Sequence, residues 1–172
     1  MMKIKQQTAE RPVLTITVDN EAGILAKIAG LFTARGYNID SLTVADISEN
    51  HAVSRITIVT HGPEAVIDQI HAQLDRLVPV HKVTDLTEVG PHVERELALI
   101  KVTGTGEKRV EALRLADVFR AKVVDSTTSS FIFEITGAPD KVDSFVSLMR
   151  ELGLVEVGRT GIVGMMRGAE GA

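Results

Sequence analysis

The chain has 172 residues, of which 44% are apolar and only 3% aromatic, and it contains no cysteine. Such a composition allows one domain or two small ones with a core of Val, Ile, Leu and Ala, and it excludes disulfides, thiolate metal sites and cysteine nucleophiles. The net charge is −4 with both signs interspersed, so no basic surface is offered to nucleic acid. No run approaches the about 20 apolar residues of a membrane span, and residues 1–11 lack a signal-peptide core, so we expect a cytoplasmic protein without a membrane partner.

Residues 12–87 are predicted to form one ferredoxin-like βαββαβ unit, preceded by a flexible extension at 1–11. β-Branched and apolar residues predict strands, and apolar residues at helical spacing predict two helices. The predicted elements are a strand at 13–18, a helix from Ile24 that ends at Gly36, strands at 38–46 and 52–60, a helix whose apolar stripe runs over 66–77, and a strand at 80–86.

The same order of elements returns over 95–166, after a predicted linker at 88–94 and before a tail at 167–172. The predicted elements here are strands at 97–103, 121–125, 131–136 and 154–157, helices at 107–120 and 140–152, and one more short strand within 158–164. The predicted fold class is therefore α+β, with two ferredoxin-like units in tandem. Helices cover one sheet face in each unit, while the other face and the sheet edges stay available to a partner, so we expect a dimer or a larger assembly.

The loop Asp19–Leu25 joins the first strand to the first helix, and it is the segment most suited to holding a small anion. A helix start has unpaired N–H groups and partial positive charge, which a carboxylate satisfies. Gly23 leaves room for a ligand, and the Asn20 amide can accept from an ammonium group. The residues alone also fit a simpler interpretation, in which this is an ordinary capped turn.

Nothing in the chain predicts catalysis. The five histidines are dispersed without the close spacing of a metal site, and the serine-rich stretch Ser126–Ser130 is best interpreted as a polar connection. Gly104–Arg109 lacks the third glycine of a dinucleotide fingerprint and the spacing of a phosphate-binding loop, so it is interpreted as a turn into a helix. We expect no catalytic, metal or cofactor site in this chain.

A second asparagine, Asn38, lies where the chain turns into its second strand. If two copies join through neighbouring strands, the helix-start loop of one copy and Asn38 of the other can both reach a ligand at the seam. The alternative is that Asn38 only satisfies backbone groups at a tight turn.

At these residues the chain resembles the ACT domain, a ferredoxin-like module that senses amino acids, and more narrowly the small regulatory subunits of acetohydroxyacid (acetolactate) synthase. The resemblance extends from about Pro12 to Arg167, and it is carried by the segments Asp19–Leu25, Gly30–Phe32, Arg35–Ala45 and His92–Leu97. It implies a subunit without an active site of its own. Such a subunit binds and activates a large catalytic subunit, which alone carries thiamine diphosphate, Mg and FAD, and it confers feedback inhibition by valine.

The resemblance also implies that valine lies between two ACT domains of a homodimer. Asn20 and Gly23 of one copy and Asn38 of the other would hold it, and we expect Ile24, Leu25 and Ile39 to complete the effector site. The second unit resembles a domain similar to the metal-binding domain of a nickel regulator, but no histidine after His92 supports nickel binding.

Three questions stay open at this stage. The chain could instead be a stand-alone ACT-type sensor that regulates another enzyme or transcription, or an enzyme in its own right. The preference among valine, leucine and isoleucine is not readable from the residues, because one methylene is worth only about 1–3 kcal/mol in such a pocket.

Overall fold

The computed structural model describes residues 11–169 and 171. The predicted extension at 1–11 therefore lies outside the described residues except for Arg11, and the predicted tail at 167–172 lacks residues 170 and 172. The chain divides into two compact units, one running to Val93 and including the segment from Gly164 onward, and the other comprising Glu94–Val163.

The first unit repeats the predicted order strand, helix, strand, strand, helix, strand. Its elements are β1 (Val13–Asp19), α1 (Ile24–Ala34), β2 (Ser41–Asp46), β3 (Val53–Val59), α2 (Glu64–Leu74), β4 (Val80–Asp85) and the short α3 (Leu86–Val89). The strands are ordered β2-β3-β1-β4 and every described pairing is antiparallel. This arrangement confirms the predicted ferredoxin-like fold, and it leaves β2 at one edge of the sheet.

The second unit has the same architecture. Its elements are β5 (His92–Thr103), α4 (Gly106–Val118), β6 (Lys122–Ser126), β7 (Ser130–Gly137), α5 (Pro139–Leu152) and β8 (Leu154–Arg159). The strand that follows, β9 (Val163–Met166), belongs to the first unit from Gly164 onward. The strand order is β6-β7-β5-β8, and β9 pairs with β5. The α+β tandem expected from the sequence is thus present in both halves.

Each unit buries its own apolar core between the sheet and its two long helices. Leu14, Ile16 and Ile58 of the first sheet pack against Ile28 and Phe32 of α1, and all five are essentially inaccessible to solvent. The second core is built around aromatic rings, since Phe133 packs against Phe145 with centroids 6.0 Å apart and Phe119 lies 5.3 Å from Phe145. Full burial of each such side chain contributes about 1.5–3 kcal/mol.

The second face of the first sheet is covered, so the expectation that it stays open is wrong for this unit. Thr15, Thr57 and Val13 point away from the helices, yet they are 5%, 3% and 0% exposed. The C-terminal segment lies against this face, because a Cβ built on Gly164 would come within 3.0 Å of Val13 and 2.6 Å of Leu86. Residues distant in sequence supply this cover, and helical periodicity gives no sign of it.

In the second unit the corresponding face is open. Leu99 is 45% exposed there, and a shallow cavity of about 210 Å³ is lined by Leu99, Lys101, Ile132, Glu156 and Gly158. Lys101 and Glu156 form an ion pair across it at 3.3 Å.

Several predicted element bounds near the chain's turns differ from those in the structure. β2 begins at Ser41 rather than at residue 38, and the carbonyl of Asn38 accepts from the Thr60 hydroxyl instead of from a backbone N–H of a neighbouring strand. The predicted linker at 88–94 contains the end of α3 and the start of β5. Asp85 starts α3 by accepting a hydrogen bond from the N–H of Thr87 at 2.8 Å.

Candidate effector site

Gly23 sets the geometry of the loop between β1 and α1. Its φ of +87° lies in the left-handed region, which a residue with a Cβ adopts only at a cost. Apart from the two adjacent residues of the chain, no heavy atom lies within 4 Å of a Cβ built at this position. The glycine is therefore required by the backbone conformation and not by crowding. The loop therefore enters the helix by a sharp turn with open space in front of it.

Hydrogen bonds anchor this loop on two sides. The N–H of Asp19 donates to Pro79 O and the N–H of Asn20 donates to Ala52 O, both at 2.8 Å. The Asp19 carboxylate also pairs with His81 Nε2 at 2.6 Å. The loop is thus fixed to the start of β4 and to the β2–β3 hairpin, and its groups are held in place before any ligand arrives.

The N-terminus of α1 is the least neutralised helix start in the described part of the chain. α1 has neither a side-chain cap nor an acidic residue in its first turn, whereas the four other helices each carry one there. Those four acids are Glu64, Glu88, Glu107 and Asp140. A negative group near a helix start is stabilising, so α1 is the helix whose positive end an external anion would complement.

Part of the α1 start is already bonded within the chain. The N–H of Ile24 already donates to Glu21 O at 3.3 Å, and the Ile24 side chain is only 6% exposed, so this residue belongs mainly to the core. Glu21 precedes the helix and pairs with Lys27 at 3.1 Å. The first-turn N–H groups of Leu25 and Ala26, which have no preceding helical carbonyl, remain the natural donors to an anion.

The Asn20 side chain is oriented by the hairpin beside it. Its Nδ2 donates to His51 O at 2.9 Å, which leaves its carbonyl oxygen directed elsewhere. His51 has a φ of +57° and its ring pairs with Asp46, so the acceptor that holds Asn20 is itself part of a bonded turn. Asn20 is exposed, as a residue that contacts a ligand must be.

The hairpin that supports Asn20 depends on one carboxylate. Asp46 accepts from the N–H of Ser48 at 3.0 Å and pairs with His51, and these bonds hold the pKa of Asp46 below its ordinary value. The Ser48 hydroxyl in turn accepts from the N–H of Val53 at 2.9 Å. Ionised Asp46 thus closes the turn that carries His51.

Asn38 lies in a second fixed segment, next to the end of β3. The buried Thr60 hydroxyl donates to Asn38 O at 2.5 Å, and the N–H of Asp40 donates to Val59 O at 2.8 Å. The Asn38 side chain donates from Nδ2 to Asp40 Oδ1 at 2.8 Å. Ile39, between them, is partly buried against the first core.

A single chain does not bring the two asparagines together. Asn20 is bonded to the segment before β3, whereas Asn38 is bonded to the residue after it. The seven residues Val53–Val59 separate these points, which corresponds to about 20 Å along a strand. The site residues therefore form two groups at opposite ends of one sheet: Asn20, Gly23, Ile24 and Leu25 at one end, and Asn38 and Ile39 at the other.

The sequence reasoning missed the partners of the histidines. Four of the five histidines pair with an aspartate: His51 with Asp46, His61 with Asp40, His71 with Asp75 and His81 with Asp19. Three of these pairs adjoin the site asparagines: those of His51 and His81 lie beside Asn20, and that of His61 lies beside Asn38. Only the helical pair has the i, i+4 spacing that could have been read from the sequence.

The glycine turn at Gly104–Arg109 has a structural role. Thr105 precedes α4, and the Arg109 guanidinium lies 3.9 Å from the centroid of the Phe131 ring.

No helix in the described residues has the length and apolar character needed to cross a membrane.

Comparison with known proteins identifies the family. A model described as the small subunit of acetolactate synthase matches residues 95–168, and an ACT-domain model described as like that of the AHAS small subunit matches residues 14–82. The chain belongs to the acetolactate synthase small-subunit family. The similarity covers almost the whole of this chain and almost the whole of the relatives described below.

Three relatives illustrate the similarity. The chain is 47% identical to a probable acetolactate synthase small subunit of Archaeoglobus fulgidus, over 90% of this chain and 96% of the relative. It is 42% identical to the isozyme 3 small subunit of Escherichia coli, over 92% of this chain and 96% of that protein. The crystal structure of the Thermotoga maritima small subunit superposes with a TM-score of 0.82 at 40% identity, covering 94% of this chain and 99% of that one.

Proposed function

We propose that this small subunit binds a large, thiamine-diphosphate-dependent catalytic subunit, raises its activity, and makes it sensitive to inhibition by valine. Thiamine diphosphate, Mg and FAD belong to the catalytic partner in this proposal, and this chain contributes no catalytic group. The observation that carries the proposal is the start of α1, which has neither a side-chain cap nor an acidic residue and lies beside the fixed amide of Asn20. The chain that presents this arrangement belongs to the acetolactate synthase small-subunit family.

Valine would bind where two copies meet. β2 is an edge strand, and Val44 on it is 42% exposed. If the β2 strands of two copies pair antiparallel, the Ser41 end of one lies beside the Asp46 end of the other. That pairing brings Asn38 of one copy toward the α1 loop of its partner, which a single chain cannot do.

The ligand groups match the groups on offer. The valine carboxylate would accept from the first-turn N–H groups of α1, its ammonium would donate to asparagine oxygens, and its isopropyl group would contact Leu25, which is 39% exposed, and Ile39. A helix-start contribution of about 0.3–2 kcal/mol plus a few hydrogen bonds corresponds to micromolar to millimolar affinity. A coupling free energy of about 1–3 kcal/mol is enough for feedback inhibition.

The test uses the complex of both subunits. Asn38→Ala should abolish inhibition by valine while activation of the catalytic subunit persists, because Asn38 lies in an exposed loop outside both cores. The matched control is Gln69→Ala, which removes an exposed amide from α2 and should leave inhibition unchanged. Wild-type inhibition by valine in the Asn38→Ala complex would refute the seam site, and failure to recover a thiamine-diphosphate enzyme with the tagged chain would refute the partner.

A further inference from the structure

We propose that Asp40 is a positioning residue that turns the Asn38 amide so that its carbonyl oxygen faces the ammonium group of the ligand, with His61 holding Asp40 in place. This inference rests on the proposed function, since it concerns how the same site recognises an amino acid. It adds two residues that neither the sequence patterns nor the loop around α1 pointed to.

The orientation of the amide follows from its partner. Asn38 Nδ2 donates to Asp40 Oδ1 at 2.8 Å, and an ionised carboxylate only accepts hydrogen bonds. A rotated amide would set its own oxygen against a carboxylate oxygen, so two acceptors would meet. Asp40 therefore selects one of the two amide orientations, and Asn38 Oδ1 is left as an open acceptor.

His61 fixes the other oxygen of the same carboxylate. Its Nδ1 lies 2.8 Å from Asp40 Oδ2, so the carboxylate is held by Asn38 on one side and by the imidazole on the other. The backbone on either side of Ile39 is also bonded, through Thr60 Oγ1 to Asn38 O and through the N–H of Asp40 to Val59 O. With the main chain fixed, the rotation of the Asn38 side chain is the remaining freedom, and Asp40 removes it.

Asn20 shows the same arrangement with a different acceptor. Its Nδ2 donates to His51 O at 2.9 Å, so rotation of this amide would also bring two oxygens together. Both site asparagines thus have a donor engaged within the chain and an oxygen available to a ligand. Two amide oxygens of this kind can accept hydrogen bonds from an ammonium group, whereas the N–H groups of the helix start can donate to a carboxylate. A site with both sets of groups distinguishes an amino acid from a simple carboxylic acid.

The experiment compares two ligands that differ by one group. Titration calorimetry measures the dissociation constants of valine and of 3-methylbutanoate, which has the same carboxylate and isopropyl group but no ammonium. Asp40→Ala should weaken valine binding about fivefold, because a freed Asn38 side chain has about three χ1 wells and two amide orientations, of which one faces the ammonium group, while binding of 3-methylbutanoate stays within about twofold. Asp40→Asn keeps an oxygen that accepts from Asn38 and should restore most of the valine affinity.

His61→Ala provides a second variant at a side chain that is 57% exposed, so it does not threaten the fold. It should produce the same selective loss for valine, smaller in size. The control is His71→Gln, which breaks a histidine–aspartate pair of 3.2 Å on α2 and should change neither constant.

An equal loss for both ligands in Asp40→Ala, or no loss for valine, would overturn the positioning role. If the wild-type chain binds neither ligand, the proposed function fails and this inference fails with it. If the wild type binds valine and the ratio of the two constants is the same in all variants, the proposed function stands and only the role of Asp40 is refuted.

Discussion

Replacement of Gly23 by alanine tests whether the loop conformation at the candidate effector site is set by backbone preference. The position has a φ of +87°, and a built Cβ meets nothing within 4 Å. The expected effect is therefore conformational alone, a destabilisation of about 1–2 kcal/mol for an L-residue held in the left-handed region. For a domain of this size each kcal/mol corresponds to a melting shift of about 4–8 °C.

Gly30 supplies the matched comparison in the same helix. It lies inside α1, and a Cβ there also meets nothing within 4 Å. Gly30→Ala should stabilise the first unit by about 0.5–1 kcal/mol, because alanine loses less backbone entropy than glycine in a helix. The two substitutions add the same atom into open space, and they are expected to act in opposite directions.

Urea unfolding of the full chain, monitored by circular dichroism, measures both changes. A difference of about 1.5–3 kcal/mol between the two variants is the expected outcome. If Gly23→Ala were as stable as Gly30→Ala, the turn would be adaptable, and the loop would not be fixed before a ligand arrives. An unchanged slope of free energy against urea would show that both variants expose the same surface on unfolding.

Three further predictions concern other parts of the fold. Gly164→Ala should destabilise the first unit by about 1–3 kcal/mol in the same assay, because the new Cβ would approach Leu86 to 2.6 Å. Arg159→Ala should destabilise the second unit by about 3 kcal/mol, since the Glu96 side chain is only 2% exposed and would lose its charged partner; Glu96→Gln in the same background should recover part of this loss. Asp46 has a lowered pKa, so its contribution to the stability of the hairpin is present above its unfolded pKa and is lost as the pH falls through the folded value. The protection factor of the Ser48 amide against hydrogen exchange should therefore fall over this pH range in the wild type and stay constant in Asp46→Asn.

The fold was predictable because its signals are local. Alternating apolar residues in β1, the stripe that includes Ile28 and Phe32 in α1, and the glycine before that helix each lie within one turn or one strand of their neighbours. The short α3 also had a local signal, since Asp85 is followed three residues later by Glu88 in the pattern of a capping box. It was missed because a segment of four residues carries no hydrophobic period.

The rest depends on contacts between distant residues. The cover over Val13 comes from Gly164, and the partners His81 and Asp19 are 62 residues apart. Propensity and periodicity describe a residue's immediate surroundings, so they cannot reveal which aspartate a surface histidine will meet. The residue types of the candidate site were readable from sequence, whereas the bonds that orient Asn20 and Asn38 were not.

The division of the proposed valine site between the two ends of one sheet has a consequence for regulation. A ligand shifts an equilibrium only by the difference in its affinity for the two states. In the proposed arrangement, one copy alone offers valine either the α1 start with Asn20 or the Asn38 segment, since β3 separates them. Two copies joined through β2 offer both groups at once, so the difference in affinity between joined and separated states is built into the strand order. Valine would then favour the joined copies over separated ones without any change inside either core, and the catalytic partner would respond to that joining.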